Sequence, residues 1–128
     1  MLCRQCNKEM APHSVGEVGF FNCQPCQNFW FGAGELEALL QVKNVKKSLP
    51  DLEALKDKAK GNDQGALECP ACEGGLKMIP MTSHMVREVA MQACPVCHGR
   101  WIEGGALKIL LSKARAGGLK ALLLKLLP

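Results

Sequence analysis

The sequence predicts a small metal-stabilised α+β fold: two tandem ribbons, each a short β-hairpin carrying four-cysteine knuckles and followed by an α-helix, plus an amphipathic helix at the C-terminus. Three observations lead there. The 128 residues contain eight cysteines in four C-x2-C pairs, Cys3/Cys6, Cys23/Cys26, Cys69/Cys72 and Cys94/Cys97. The chain also repeats itself: setting Cys23 on Cys94 places Cys26 on Cys97, Trp30 on Trp101, Gly34 on Gly105, Leu36 on Leu107 and Leu39 on Leu110 without a gap. Finally, four Phe, two Trp and no Tyr make a thin core. Units of about 45 residues bury too little apolar surface to offset their conformational entropy, so they need a staple.

Each element follows from local chemistry. The cysteine pairs are separated by 16 residues in the first copy and 21 in the second, the interval of a four-cysteine metal site. Within these intervals Val18-Gly19-Phe20-Phe21 and Val89-Ala90-Met91-Gln92 read as strands entering the second knuckle, after stretches punctuated by glycine, proline and serine. Pro80 lacks a backbone donor and is expected to interrupt or border the first strand of the second copy. A residue tolerant of positive φ is favoured after the second cysteine of each knuckle, which suits Asn7 and His98 better than Gln27 and Glu73. Glu35 to Leu40 then reads as a helix, with acids in its first turn, Leu36, Leu39 and Leu40 on one face packing on its own ribbon, and Lys43, Lys46 and Lys47 near its negative end. Pro50 to Lys60 reads as a second short helix stopped by Gly61, and 61–65 as a flexible linker. From Leu107 a helix runs to about Arg115. Beyond Gly117-Gly118 a further helix carries Leu119, Leu122, Leu123, Leu126 and Leu127 as an apolar stripe. The expected organisation is a first ribbon with its helix over 1–47, a helical linker over 48–66, a second ribbon with its helix over 67–116, and the amphipathic helix over 117–128.

The cysteines point to two zinc ions per chain, the first held by Cys3, Cys6, Cys23 and Cys26 and the second by Cys69, Cys72, Cys94 and Cys97. Zinc has no ligand-field preference and accepts four soft thiolates in a tetrahedron, which two knuckles arriving from opposite ends of a hairpin supply. A single rubredoxin-like iron is the chemical alternative at the same spacing. The denser cysteine run of an iron–sulfur cubane is absent, and four matched pairs do not resemble a thioredoxin-type dithiol. Cys3 is reached with no apolar leader before it, so the thiols are expected to be reduced and the protein cytoplasmic. No run of 18 apolar residues occurs, so no membrane-spanning helix is expected.

The formal net charge of +4 lies in the second half, since residues 1–64 carry eight basic and eight acidic side chains and residues 65–128 carry eight and four. Each zinc tetrathiolate contributes −2, which brings the loaded protein to about zero and weakens a nucleic-acid argument built on overall charge. His13, His84 and His98 are surplus to two full four-cysteine shells. Trp30 and Trp101 are expected behind their own ribbons, and Met78, Met81, Met85 and Met91 in ordinary core positions. Neither a nucleophilic triad nor a phosphate-cradling loop occurs, and a closed zinc lacks the open position that catalysis needs. No catalytic residue and no small-molecule substrate are expected.

The motifs Cys23-x2-Cys26-x3-Trp30-Phe31-x2-Gly34-Glu35-Leu36 and Cys94-Pro95-x-Cys97-x-Gly99-x-Trp101-Ile102-x2-Gly105-x-Leu107 resemble the transcription factor IIB-type zinc finger, a small zinc-ribbon domain. Two tandem copies cover about two-thirds of the chain. Gly32 and Glu103 stand where that family usually has aspartate, and Ala106 replaces a glutamate. The resemblance implies the eight cysteines as metal ligands and no catalytic residue. A fold does not specify a function, and ribbons dock proteins as well as nucleic acids.

Three functions follow as expectations. The first is a non-catalytic interaction module, binding a protein partner or a second copy of itself through the leucine stripe. An alternative is nucleic-acid binding through Arg100, Lys108, Lys113, Arg115, Lys120 and Lys125. Another is thiol redox chemistry or zinc transfer at a labile site.

Overall fold

The computed structural model describes residues 1–41, 65–82 and 90–115. The expected helix over 50–60, most of the linker, Lys43, Lys46, Lys47, His84, Met85, Val89 and the leucine stripe lie outside the described residues.

Six strands, β1 (Ala11–Val15), β2 (Val18–Cys23), β3 (Asn28–Phe31), β4 (Ile79–Thr82), β5 (Ala90–Ala93) and β6 (Arg100–Glu103), and two helices, α1 (Glu35–Leu40) and α2 (Gly104–Arg115), are the regular elements among the described residues. The strands form one antiparallel sheet in the order β1-β2-β3-β6-β5-β4. Each repeat therefore contributes a three-stranded meander rather than a lone hairpin, and the two meanders meet edge to edge at β3 and β6. The third strand escapes a reading by alternation because it is central. All four residues of β3 are buried, so its sequence Asn-Phe-Trp-Phe shows no period of two.

The junction has a local two-fold character. Trp30 pairs with Trp101, its equivalent in the repeat, and the flanking pairs, Phe29 with Ile102 and Phe31 with Arg100, exchange under the same two-fold. Pro12 pairs with Phe21 at one outer edge and Pro80 with Gln92 at the other. Phe21 and Gln92 are equivalent in the repeat, so both edge strands carry proline at the same place. Pro80 thus lies inside β4 rather than interrupting it, since an edge strand tolerates the missing donor. Proline there also blunts a row of groups that would otherwise recruit further strands.

Alternation along the strands sorts side chains onto two faces. On one, Phe20, Phe29, Phe31, Met91 and Ile102 pack with Leu36, Leu39 and Leu40 of α1 and Ala106, Leu107, Leu110 and Leu111 of α2. The Phe20 and Phe31 rings lie 5.1 Å apart. Burying each leucine contributes roughly 1.5–3 kcal/mol. Helix α1 starts from Gly34 at φ 78°, without a side-chain cap, and Glu35 accepts the Gly19 N–H at 3.1 Å, tying the helix to β2. Its leucines enter a core shared by both repeats. Arg100 of β6 is buried on this face, with Nη1 3.0 Å from the Met81 sulfur and Nη2 3.5 Å from Glu37 of α1. The opposite face holds Trp30, Trp101 and the cysteine knuckles.

Candidate metal centre

Each site grows out of turns at the ends of strands. Cys3 and Cys6 lie in a tight loop closed by the Leu2–Glu9 bridge, and Cys69 and Cys72 in its counterpart closed by Glu68–Lys77. The Asn7, Gln27 and His98 amides each donate back to the carbonyl of their knuckle's first cysteine, at 2.8, 2.7 and 3.0 Å. The same three residues have φ of 62°, 58° and 61°. Gln27 takes this conformation although its side chain does not favour it. After Cys72 the positive φ passes from Glu73 to Gly74 at 90° and Gly75 at 70°.

These turns bring the eight cysteines into two clusters, Cys3, Cys6, Cys23 and Cys26, and Cys69, Cys72, Cys94 and Cys97, with the sulfurs of each within 4.8 Å of one another. Sulfurs from opposite knuckles approach one another closely: Cys6 to Cys23 at 3.5 Å, Cys69 to Cys97 at 3.6 Å and Cys72 to Cys94 at 3.7 Å. A tetrahedral zinc with bonds of about 2.3 Å needs sulfurs about 3.8 Å apart, whereas a disulfide needs about 2.05 Å. All eight are free thiols, and the three close pairs stand at the former spacing with every sulfur of a cluster within 4.8 Å of the others, so the residues fit zinc. When bound, zinc supplies the link that holds two knuckles together. The first cysteine of each knuckle is buried and the second is half-buried.

Without metal the thiols are unequal. The Lys8 amide, helped by the Cys26 thiol, lowers Cys6 to about 7. Burial opposes ionisation of Cys94, but the Cys97 and Val96 amides, with the latter N–H groups each 3.4 Å from its sulfur, outweigh this and hold it at about 7. Burial raises Cys23 to about 11, and pushes Cys26 and Cys97 upward as well. Sharing a hydrogen with Cys94 raises Cys72 to about 12. One thiol per cluster, Cys6 or Cys94, is therefore the readier to meet a cation as thiolate, whereas Cys23 and Cys26, and Cys72 and Cys97, are held protonated until a cation arrives.

Several supporting side chains carry no local signal in the sequence. Asn28, buried at 2%, donates to Gln5 at 2.6 Å and so ties β3 to the first knuckle. Gln92 accepts from the Leu67 N–H at 2.8 Å and donates to the Gly65 carbonyl at 3.0 Å, bracing the segment that leads into Cys69. Trp30 does not stay behind its own ribbon: its indole lies over Gly99 of the second, where any Cβ would overlap the ring. Arg4 crosses in the same sense, its Nη2 3.5 Å from the Cys69 carbonyl.

Residues 68–113 match the transcription factor zinc-finger family, the TFIIB-type zinc ribbon. The matched segment is the second zinc ribbon, including all four of its cysteines. The four-cysteine cluster at 3–26 is consistent with a second zinc ribbon in the first repeat. The described residues thus form a zinc-binding module with two four-cysteine sites in a mainly antiparallel sheet. No curated protein and no solved structure shows a significant match to the chain. Among the described residues, no helix is long and apolar enough to cross a membrane.

Proposed function

We propose that the protein is a non-catalytic interaction module in which both zincs are structural and the partner is a protein. The observation that carries the first part is the completeness of the two clusters: each gathers four sulfurs within 4.8 Å of one another, enough to fill a tetrahedral shell and leave no coordination position for a substrate. Support for a protein partner comes from the surfaces. Helices cover one face of the sheet, the knuckles occupy the other, and proline blunts both edges. In the sequence, the leucines of 119–127 form an apolar stripe of the kind that docks in a groove on a protein partner.

Deleting residues 117–128 tests this reading. The truncated protein is expected to keep two zincs by native mass spectrometry and to lose association in light scattering. An unchanged oligomeric state and unchanged partners would refute protein docking through this segment. Fast modification of one cysteine pair in the zinc-loaded protein would refute purely structural zinc and favour redox or transfer chemistry.

The family match favours nucleic-acid binding as the second reading. One of its residues is spent elsewhere, because Arg100 is buried at 4% against Glu37 and Met81. Binding through the remaining Lys108, Lys113, Arg115, Lys120 and Lys125 weakens steeply with salt, and absence of DNA and RNA binding at low salt would end it.

A further inference from the structure

Two side chains cross from the first repeat to the second at the knuckles. Arg4 stands between Cys3 and Cys6, yet its guanidinium reaches the carbonyl of Cys69 in the other site. Its Nε is buried without a hydrogen-bond partner among the described residues. A guanidinium keeps its charge, and holding it half-buried with a buried, unpartnered Nε is costly where the neighbouring metal sites are neutral. Beside zinc tetrathiolates the balance reverses, because each loaded site carries −2, and Arg4 follows a ligand of the first site in the chain while its guanidinium reaches the backbone of a ligand of the second. Trp30 makes the second crossing. It rests on Gly99, and the Gly99 carbonyl accepts the Cys94 N–H at 3.0 Å, closing the fourth knuckle. The β3–β6 pairing backs both crossings with continuous sheet.

We infer that the two zinc sites load as a coupled pair, with Arg4 as the positioning residue that carries coupling between the knuckles; this rests on the zinc reading of both clusters. Loading the first site orders the loop that bears Arg4 and sets its charge beside Cys69, so the second site is organised at lower cost. Coupling between sites is reciprocal, so loading the second favours the first by the same factor.

Native mass spectrometry during stepwise zinc addition to the metal-free full-length chain reads this directly. For two equal and independent sites, about half the molecules carry one zinc at half loading, and unequal affinities raise that fraction; tenfold positive coupling lowers it to about a quarter. The wild type is expected near a quarter. Arg4→Met keeps all eight ligands and is expected to bind two zincs while its singly loaded fraction rises toward half. Arg4→Lys, which keeps a cation and a donor, is expected to stay nearer the wild type. A wild-type fraction of half or more overturns the coupling, and an Arg4→Met fraction equal to wild type overturns the assignment to Arg4. Absence of zinc uptake at either site would instead remove the zinc reading beneath both.

Discussion

Replacing Gly99 with alanine puts one methyl group where the Trp30 ring already lies. The added Cβ would overlap the six-membered part of the indole and stand 3.1 Å from the Phe31 carbonyl. Gly99 does not occupy the positive-φ region, so the backbone accepts alanine and the cost is steric. Trp30 has little room to yield, being 3% exposed and cross-strand to Trp101 at the centre of the sheet. Overpacking of this kind costs about 1–3 kcal/mol, and displacement of the central pair places Gly99→Ala near the upper end. Urea unfolding at fixed free zinc measures it. Trp30→Leu alone opens a cavity and costs up to about 3 kcal/mol, but it also removes the ring that the methyl group meets. Gly99→Ala should then cost little in the Trp30→Leu background, giving a coupling energy of about 2 kcal/mol in the double-mutant cycle. A single-variant loss below about 0.5 kcal/mol, or the same loss in both backgrounds, would refute the packing of the first repeat's tryptophan on the second repeat's knuckle.

Zinc removal is expected to unfold the sheet, because each site supplies roughly 10–16 kcal/mol; an unchanged far-UV spectrum and melting transition after chelation would contradict this. Acid should do the same: zinc binding displaces at least two protons per site, from Cys23 and Cys26 and from Cys72 and Cys97, whose metal-free thiols are raised. Coordination holds these thiols ionised, so its contribution is present at higher pH and lost as pH falls, and competition with a chromophoric chelator should show affinity falling about a hundredfold or more per unit from pH 7 to 6. Glu37→Leu leaves the Arg100 guanidinium buried without its carboxylate and should cost about 3 kcal/mol in denaturant unfolding, while adding Arg100→Met should recover much of that loss. Replacing Pro12 and Pro80 with valine restores a donor to each outer strand, and light scattering should then show faster concentration-dependent aggregation of the zinc-loaded protein.

The legibility of this chain follows the range of the interactions involved. Four C-x2-C pairs announce a metal because both ligands of a knuckle lie within one turn, and their grouping follows from the short interval between knuckles. The helix at Glu35–Leu40 is legible for the same reason, since its buried leucines recur at helical spacing. The helix expected from Leu107 begins earlier, at Gly104, because Ala106 enters the core as well. The sequence by itself thus determined the two zinc sites and the phase of the helices.

The third strand of each repeat, and the joining of two ribbons in one sheet, were decided only in three dimensions. Phe29-Trp30-Phe31 does not reveal whether its backbone groups pair with a neighbour, because a strand covered on both faces loses the alternation that would identify it. Once β3 lies against β6, residues far apart in the chain acquire their roles together: Trp30 meets Gly99, Arg100 meets Glu37, and Arg4 reaches Cys69. None of these has a spacing that a sequence displays, because each depends on the register between repeats. Metal ligation is a property of neighbouring residues, whereas the sheet that joins the metal sites is a property of two edges far apart in the chain that meet only in three dimensions.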